Sequence, residues 1–226
     1  MKLPSIIDFG LSLNIEKITM KNLENYFYVF APDYYIWPLE IHYLSFLVKK
    51  KKKPTLIELE YLTSEYILNN VALKSNFSPK FLENYKKLCM KQLIAYNNLE
   101  YENAIKKILS YWKSWDNYSL SVLYLKIIYY LNPGGYINNS FLSFFTEILL
   151  INISPDPTKR LSVVDTIHSF NEFIVDKDIN KKNTFTEIVN LVRDNRDEIS
   201  IRVERDQKNI KLITKKIEKY RDGWNI

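Results

Sequence analysis

The chain has 226 residues, of which 46% are hydrophobic and 26% charged, the balance of a folded soluble protein with length for one substantial core or one and a half domains. A single cysteine, Cys89, excludes an intramolecular disulfide and fits a reducing compartment, and with only His42 and His168 beside it a structural zinc site is not expected. No apolar run is long enough to span a bilayer and the start has no secretory pattern, so the reading is cytoplasmic or nuclear, not secreted. A net charge of +6 permits contact with nucleic acid without requiring it.

The first element is "IIDFGLSLN", residues 6–14. Ile6 and Ile7 read as a short buried strand, Asp8 sits where strand becomes loop, and Gly10 allows a backbone turn that other residues resist. A carboxylate at such a junction is held rigidly yet left open, as a metal ligand must be. The alternative is a strand end with a capping Asp. Further on, Lys49 to Lys53 form an unbroken basic run ended by Pro54, read as a solvated loop, with nucleic-acid contact as the secondary reading.

Beyond residue 40 the periodicity is helical. Ile57, Tyr61, Ile67 and Leu68 mark one apolar face, and Ser78-Pro79 starts a helix that continues through Phe81, Tyr85, Cys89 and Leu93. Ala104, Ile105, Ile108 and Trp112 supply another. "WDNYSLSVLYLKIIYYL", residues 115–131, is apolar on all sides with Lys126 its one charge after the opening Asp116, which predicts a helix at the centre of a domain. It stops at Asn132-Pro133-Gly134-Gly135. Residues from Asn139 or Ser140 onward predict a further apolar helix, "SPDPTKR" a loop, and Ser162 the start of a last core helix through Val163, Val164, Ile167, Phe170 and Phe173. After Asp176 both charge signs dominate. Thr184 to Glu187 match a capping box, and helix is expected to follow, break near Asp194 to Asp197, and resume through Ile210, Ile213 and Ile217.

Four features stand in a fixed order: Asp8-Phe9-Gly10; Pro38-Leu39-Glu40; Asp116 heading the apolar helix, followed by Ser119; and Asp156-Pro157-x-x-Arg160. This resembles the C-terminal lobe of a eukaryotic-type Ser/Thr protein kinase. The family's D-F-G and D-P-x-x-R are matched in full. Its A-P-E is altered to Pro38-Leu39-Glu40, and in its D-x-W-S-x-G Tyr118 replaces Trp and Ser121 replaces Gly. The resemblance implies that Asp8, with Phe9 and Gly10, belongs to the ATP site and that Asp8 holds magnesium. It implies a buried pair between Glu40 and Arg160, and an Asp116 that accepts amides of the catalytic loop. Residues between Asp8 and Glu40 would form an activation segment, with Ser12, Thr19, Tyr26, Tyr28, Tyr34 and Tyr35 as its hydroxyls. The length of the segment between Glu40 and Asp116, and the composition, are similar to divergent kinases of large DNA viruses, which would add a virion to the locations.

The departures carry equal weight. No Gly-rich loop, strand lysine or H-R-D-x-x-x-x-N occurs in the sequence, so positioning and electrostatics for phosphoryl transfer are incomplete and the chain alone is expected to be inactive. The expected fold is mainly α. Residues 1–40 would be strand, D-F-G and activation segment; 41–114 an inserted helical subdomain; 115–175 the core helices of the lobe; and 176–226 a charged helical tail. Magnesium and ATP would bind only if the missing half is supplied. Another polypeptide, or an upstream segment, would cover the N-terminal strand and the head of the central helix. A pseudokinase-like scaffold that binds a protein is the alternative function, and an all-α structural or nucleic-acid-associated protein the second.

Overall fold

Thr55, Ser78 and Ser162 each stand just before a helix in the computed structural model of the chain, and each hydroxyl takes an amide that the helix cannot satisfy itself. Thr55 Oγ1 accepts from the Glu58 amide at 3.2 Å while the Glu58 carboxylate accepts from the Thr55 amide at 2.8 Å, a complete capping box. Ser78 accepts from Phe81 with Pro79 in the first turn, and Ser162 accepts from Asp165. The structure describes residues 13–131 and 140–176, together with individual positions between 190 and 215. Ile6, Ile7, the Asn132 to Gly135 breaker and the Thr184 to Glu187 capping box lie outside the described residues.

Among the described residues the body is helical and contains no strand. Its helices are α1 (Leu39–Lys50), α2 (Leu56–Asn69), α3 (Val71–Asn76), α4 (Pro79–Asn97), α5 (Tyr101–Leu109), α6 (Trp115–Leu131), α7 (Ser140–Asn152) and α8 (Val163–Asp176). One hydrophobic cluster runs from Leu23 through all of α1 to α6 and on to Ile153. The helices of 41–114 therefore share their core with α6. None of the described helices is long and apolar enough to cross a membrane.

The neighbours decide which face of each helix is buried. On α2, Leu59, Leu62 and Tyr66 are fully buried and spaced at three and four, on a helix that packs against both α4 and α1. Thr63 goes in with them because its hydroxyl donates to the Leu59 carbonyl at 2.8 Å. Ile67 is also buried, but Ile57, Tyr61 and Leu68, expected on the core face, are 81%, 57% and 59% exposed. Both sides of this helix are apolar, so its own periodicity did not choose between them.

Helix α6 departs from expectation in the same way. Tyr118, Val122, Leu125 and Ile128 are buried between α3 and α7, but Leu120, Leu123, Tyr124 and Ile127 form an open stripe with exposures between 40% and 50%. The Asn76 amide donates to the Leu125 carbonyl at 2.8 Å and fixes α3 against it. On α8, Phe173 stacks on Phe144 with ring centroids 3.8 Å apart and Phe170 meets Phe145 edge-on, whereas Val163, Val164 and Ile167 are exposed. In the tail, Arg196 and Asp197 are helical where a break was expected.

Tyrosine hydroxyls tie the helices together at points their own ladders leave open. Tyr85 donates to the Ile153 carbonyl at 2.6 Å, Tyr101 to the Leu47 carbonyl at 3.0 Å and Tyr43 to the Asn97 side chain at 3.0 Å. At the end of α1, Lys51 takes the left-handed conformation (φ 52°) usually left to glycine, and its amide closes on the Leu47 carbonyl.

The burial pattern of α2 gives a direct test. Leu62→Ala should destabilise the protein by about 2–5 kcal/mol, as a large-to-small change at a filled core position does. Ile57→Ala should change stability by less than about 0.5 kcal/mol. Urea unfolding of the two variants checks the assignment, and equal losses would reverse it.

Candidate functional site

Asp156, Pro157 and Arg160 build one short device. The Asp156 carboxylate accepts from the Thr158 amide at 3.0 Å and from its hydroxyl at 2.7 Å, and Pro157 opens the tight turn Pro157–Lys159. Arg160 follows at the end of that turn in extended conformation, which sends its side chain inward.

Glu40 approaches from the opposite side, on the first turn of α1. Arg160 Nη1 donates to Glu40 Oε1 at 2.6 Å and Nη2 to Oε2 at 2.9 Å, a bidentate pair with both side chains 1% exposed. Two further donors of the guanidinium are also taken. Nε donates to the Ser154 carbonyl at 2.8 Å, Nη1 also reaches the Ser114 hydroxyl at 3.2 Å, and the plane lies 4.8 Å from the centre of the Tyr118 ring. Burial by itself would lower the Arg160 pKa, but the Glu40 charge and hydrogen bonds outweigh it and the net direction is up. Burial also raises the Tyr85 and Tyr118 phenols and the Cys89 thiol beside the pair, so these groups stay neutral and Cys89 is an inert thiol.

The other expected site residues fare differently. Asp8, Phe9 and Gly10 lie outside the described residues. Asp116 is exposed, and the catalytic loop whose amides it would accept by the resemblance is not in this sequence. It is the second residue of α6, where the positive end of the helix stabilises a carboxylate that remains in water. Its neighbour Asn117, which the sequence reading passed over, does the internal bonding. Asn117 is 7% exposed and donates to the Leu161 carbonyl and to Thr166 Oγ1, both at 3.1 Å. The signal was an amide flanked by Trp115 and Tyr118. Ser119 donates to the Ile36 carbonyl at 2.9 Å and anchors the segment that precedes α1.

Of the hydroxyls in that segment, Thr19 is exposed, Tyr26, Tyr28 and Tyr34 are half-buried, and Tyr35 is buried. Lys126 approaches the Tyr35 ring from α6 at 5.8 Å, and burial lowers its ammonium to about 8. The basic run is partly neutralised by the chain's own acids: Lys51 pairs with Glu24 at 2.8 Å and Lys52 with Glu58 at 3.0 Å. Lys51, Glu24, Met20 and Tyr101 line a surface groove of about 340 Å³ far in sequence from Asp156 to Arg160. Among the described residues, no group of three or more His, Cys, Asp or Glu side chains is placed to hold a metal ion.

His42 lies inside the first turns of α1, fully buried, with its Nε2 donating to the Tyr34 carbonyl at 3.1 Å and its ring against Trp37 and Tyr66. Burial lowers its pKa from 6.5 to about 4, partly offset by the Tyr34 carbonyl.

Two predictions follow from these groups. Arg160→Ala strands the Glu40 carboxylate and should cost about 3–5 kcal/mol, whereas Glu40→Leu with Arg160→Met should lose much less. Lys51→Ala, at an exposed pair, should change little; denaturant titration separates the three. For His42 the folded pKa lies below the unfolded one, so stability is complete above about pH 6.5 and falls as pH drops towards 4. The loss over that window is roughly 3 kcal/mol. A His42→Gln variant should remove this part of the pH dependence, which urea midpoints at several pH values would record.

Compared with protein families, curated proteins and solved structures, the chain finds no match in any of the three.

Proposed function

We propose that this chain is a protein-kinase-like helical lobe that binds another polypeptide carrying the ATP-gripping elements, and that it transfers no phosphate by itself. The observation that carries the reading is the bidentate Glu40–Arg160 pair. It joins the altered Pro38-Leu39-Glu40 to Asp156-Pro157-x-x-Arg160, the two motifs that the resemblance to kinases requires to meet. Chance surface charges have no reason to leave water together.

In the joined assembly Asp8 would offer its carboxylate to magnesium, and ATP would phosphorylate a protein Ser or Thr hydroxyl, as in the family the motifs resemble. The sequence of this chain holds no catalytic base, no phosphate-binding lysine and no glycine-rich loop. One carboxylate cannot supply the positioning that phosphoryl transfer depends on.

A pseudokinase-like scaffold is the second reading, and the stripe on α6 favours it. Leu120, Leu123, Tyr124 and Ile127 sit on successive turns below the exposed Asp116, and a central helix left open along one side is a surface for another helix. Both readings place the protein in the cytoplasm or nucleus, or in a virion.

Calorimetry of the full chain with magnesium-ATP tests the leading reading. Affinity should be no tighter than about millimolar, and transfer of labelled phosphate to a general protein substrate should be absent. Micromolar affinity for the chain alone would show that the nucleotide-gripping part is not elsewhere and would overturn the proposal.

A further inference from the structure

Two neighbouring helices, α2 and α4, turn faces of opposite character to the outside. Along the outer ridge of α2, Ile57, Tyr61, Ser64 and Leu68 follow at steps of four, three and four. Ile57, Tyr61 and Leu68 are exposed, and Glu60 and Glu65 flank the ridge on its two sides. No lysine or arginine occurs on this helix. On α4 the outer ridge is Lys80, Lys87 and Lys91, all exposed. Glu83, the one acid of α4, is held by Lys87 at 2.8 Å. One helix is therefore acidic and apolar on its open side, and the other is basic.

The two helices run side by side in opposite directions. Thr63 Oγ1 is 3.2 Å from Met90 Sγ, and the Asn97 amide donates to the Pro54 carbonyl at 3.1 Å. These contacts set residue 61 of α2 level with residue 91 of α4, and residue 65 level with residue 87.

We infer that the outer face of α2 and α4 is a self-complementary docking surface for a second copy of this chain. Each copy lays its α2 along the α4 of the other, about a two-fold axis parallel to the helices. The charges select both the occupant and the axis. Rotation about such an axis keeps every residue at its own level. Glu60 and Tyr61 of one copy therefore come to Lys91 of the other, Glu65 comes to Lys87, and the symmetry makes each contact twice. An axis across the helices would instead lay the lysine ridge on its own copy, which like charges oppose.

The apolar ridge does not need an apolar partner in this arrangement. Lysine stems lie well on apolar surface while their ammonium groups reach outward, and the Tyr61 ring face attracts a cation. Two helices about 10 Å wide, over the length of α2, offer about 400 Å² of face on each copy and bury about 800–1,000 Å² in the pair. That is the low end for a specific interface, so a dissociation constant on the order of 10 μM is expected.

Sedimentation equilibrium of the full chain tests the inference. At about 100 μM and low salt the wild type should sediment at mostly twice the 27.0 kDa of one chain, and added salt should weaken the pair. Glu60→Lys, and separately Lys91→Glu, should weaken it by about tenfold, and the two exchanges together should restore it. Helical circular dichroism of each variant shows that the fold survives. Tyr61→Cys mixed with Lys91→Cys should be joined by a short bismaleimide, since Cys89 is buried and does not compete. Leu123→Glu on the α6 stripe should leave the dimer intact, which separates this contact from the one proposed above for another polypeptide. A wild type that remains monomeric at about 300 μM would overturn the inference. So would a double exchange that does not restore the dimer, Tyr61→Cys joined only to itself, or a dimer lost on Leu123→Glu.

Discussion

The Glu40 carboxylate can remain out of water only because a guanidinium from 120 residues later in the chain meets both of its oxygens. Everything near that contact is arranged around it. Asp156 and Pro157 form the turn that aims Arg160, the Ser154 carbonyl and Ser114 hydroxyl take two more of its donors, and the Tyr118 ring closes one face. A pair this dry gains little over well-packed apolar side chains of the same size, but it tolerates no error in placement. It therefore fixes how α1 sits against the turn before α8 more strictly than a hydrophobic contact could, since apolar side chains can slide and still remain buried.

The polar devices of this fold were readable in the sequence and the choice of buried face was not. Ser78 and Ser162 announce their helices because a capping hydroxyl acts within a few residues of its own chain, and the Thr55 box, which the reading of the sequence did not single out, obeys the same rule. The Glu40–Arg160 contact was readable only through the order of the motifs around it. By contrast, α2 is apolar on both sides, and it is packing against α4 and α1 that draws in Leu59 and Leu62 and leaves Ile57 outside. Val163 and Ile167 on α8 lost to Phe170 and Phe173 for the same reason: the rings of Phe144 and Phe145 were waiting on α7. At the head of α6 the interior bonds belong to Asn117, an amide that no motif marks.

The open side of α6 carries Leu120, Leu123, Tyr124 and Ile127 and no charge among them. A contact made there would discriminate little between apolar partners of similar shape, because nothing on it has to find an opposite charge.

The hydroxyl and amide tethers of the body also determine when in folding they act. Tyr101 and Leu47 are 54 residues apart, Tyr85 and Ile153 are 68, and Ser119 and Ile36 are 83. Closing loops of that length costs chain entropy before any single bond repays it, so none of these contacts can guide the early search. The neighbouring helices α2, α3 and α4 pack on one another over short separations in sequence, which are the contacts that cost least chain entropy to close. The tethers then close on a body already assembled, and contacts made after the barrier slow escape from the native state without hastening arrival. In this protein the tyrosines that bridge distant helices act as latches: they lengthen the lifetime of the folded chain.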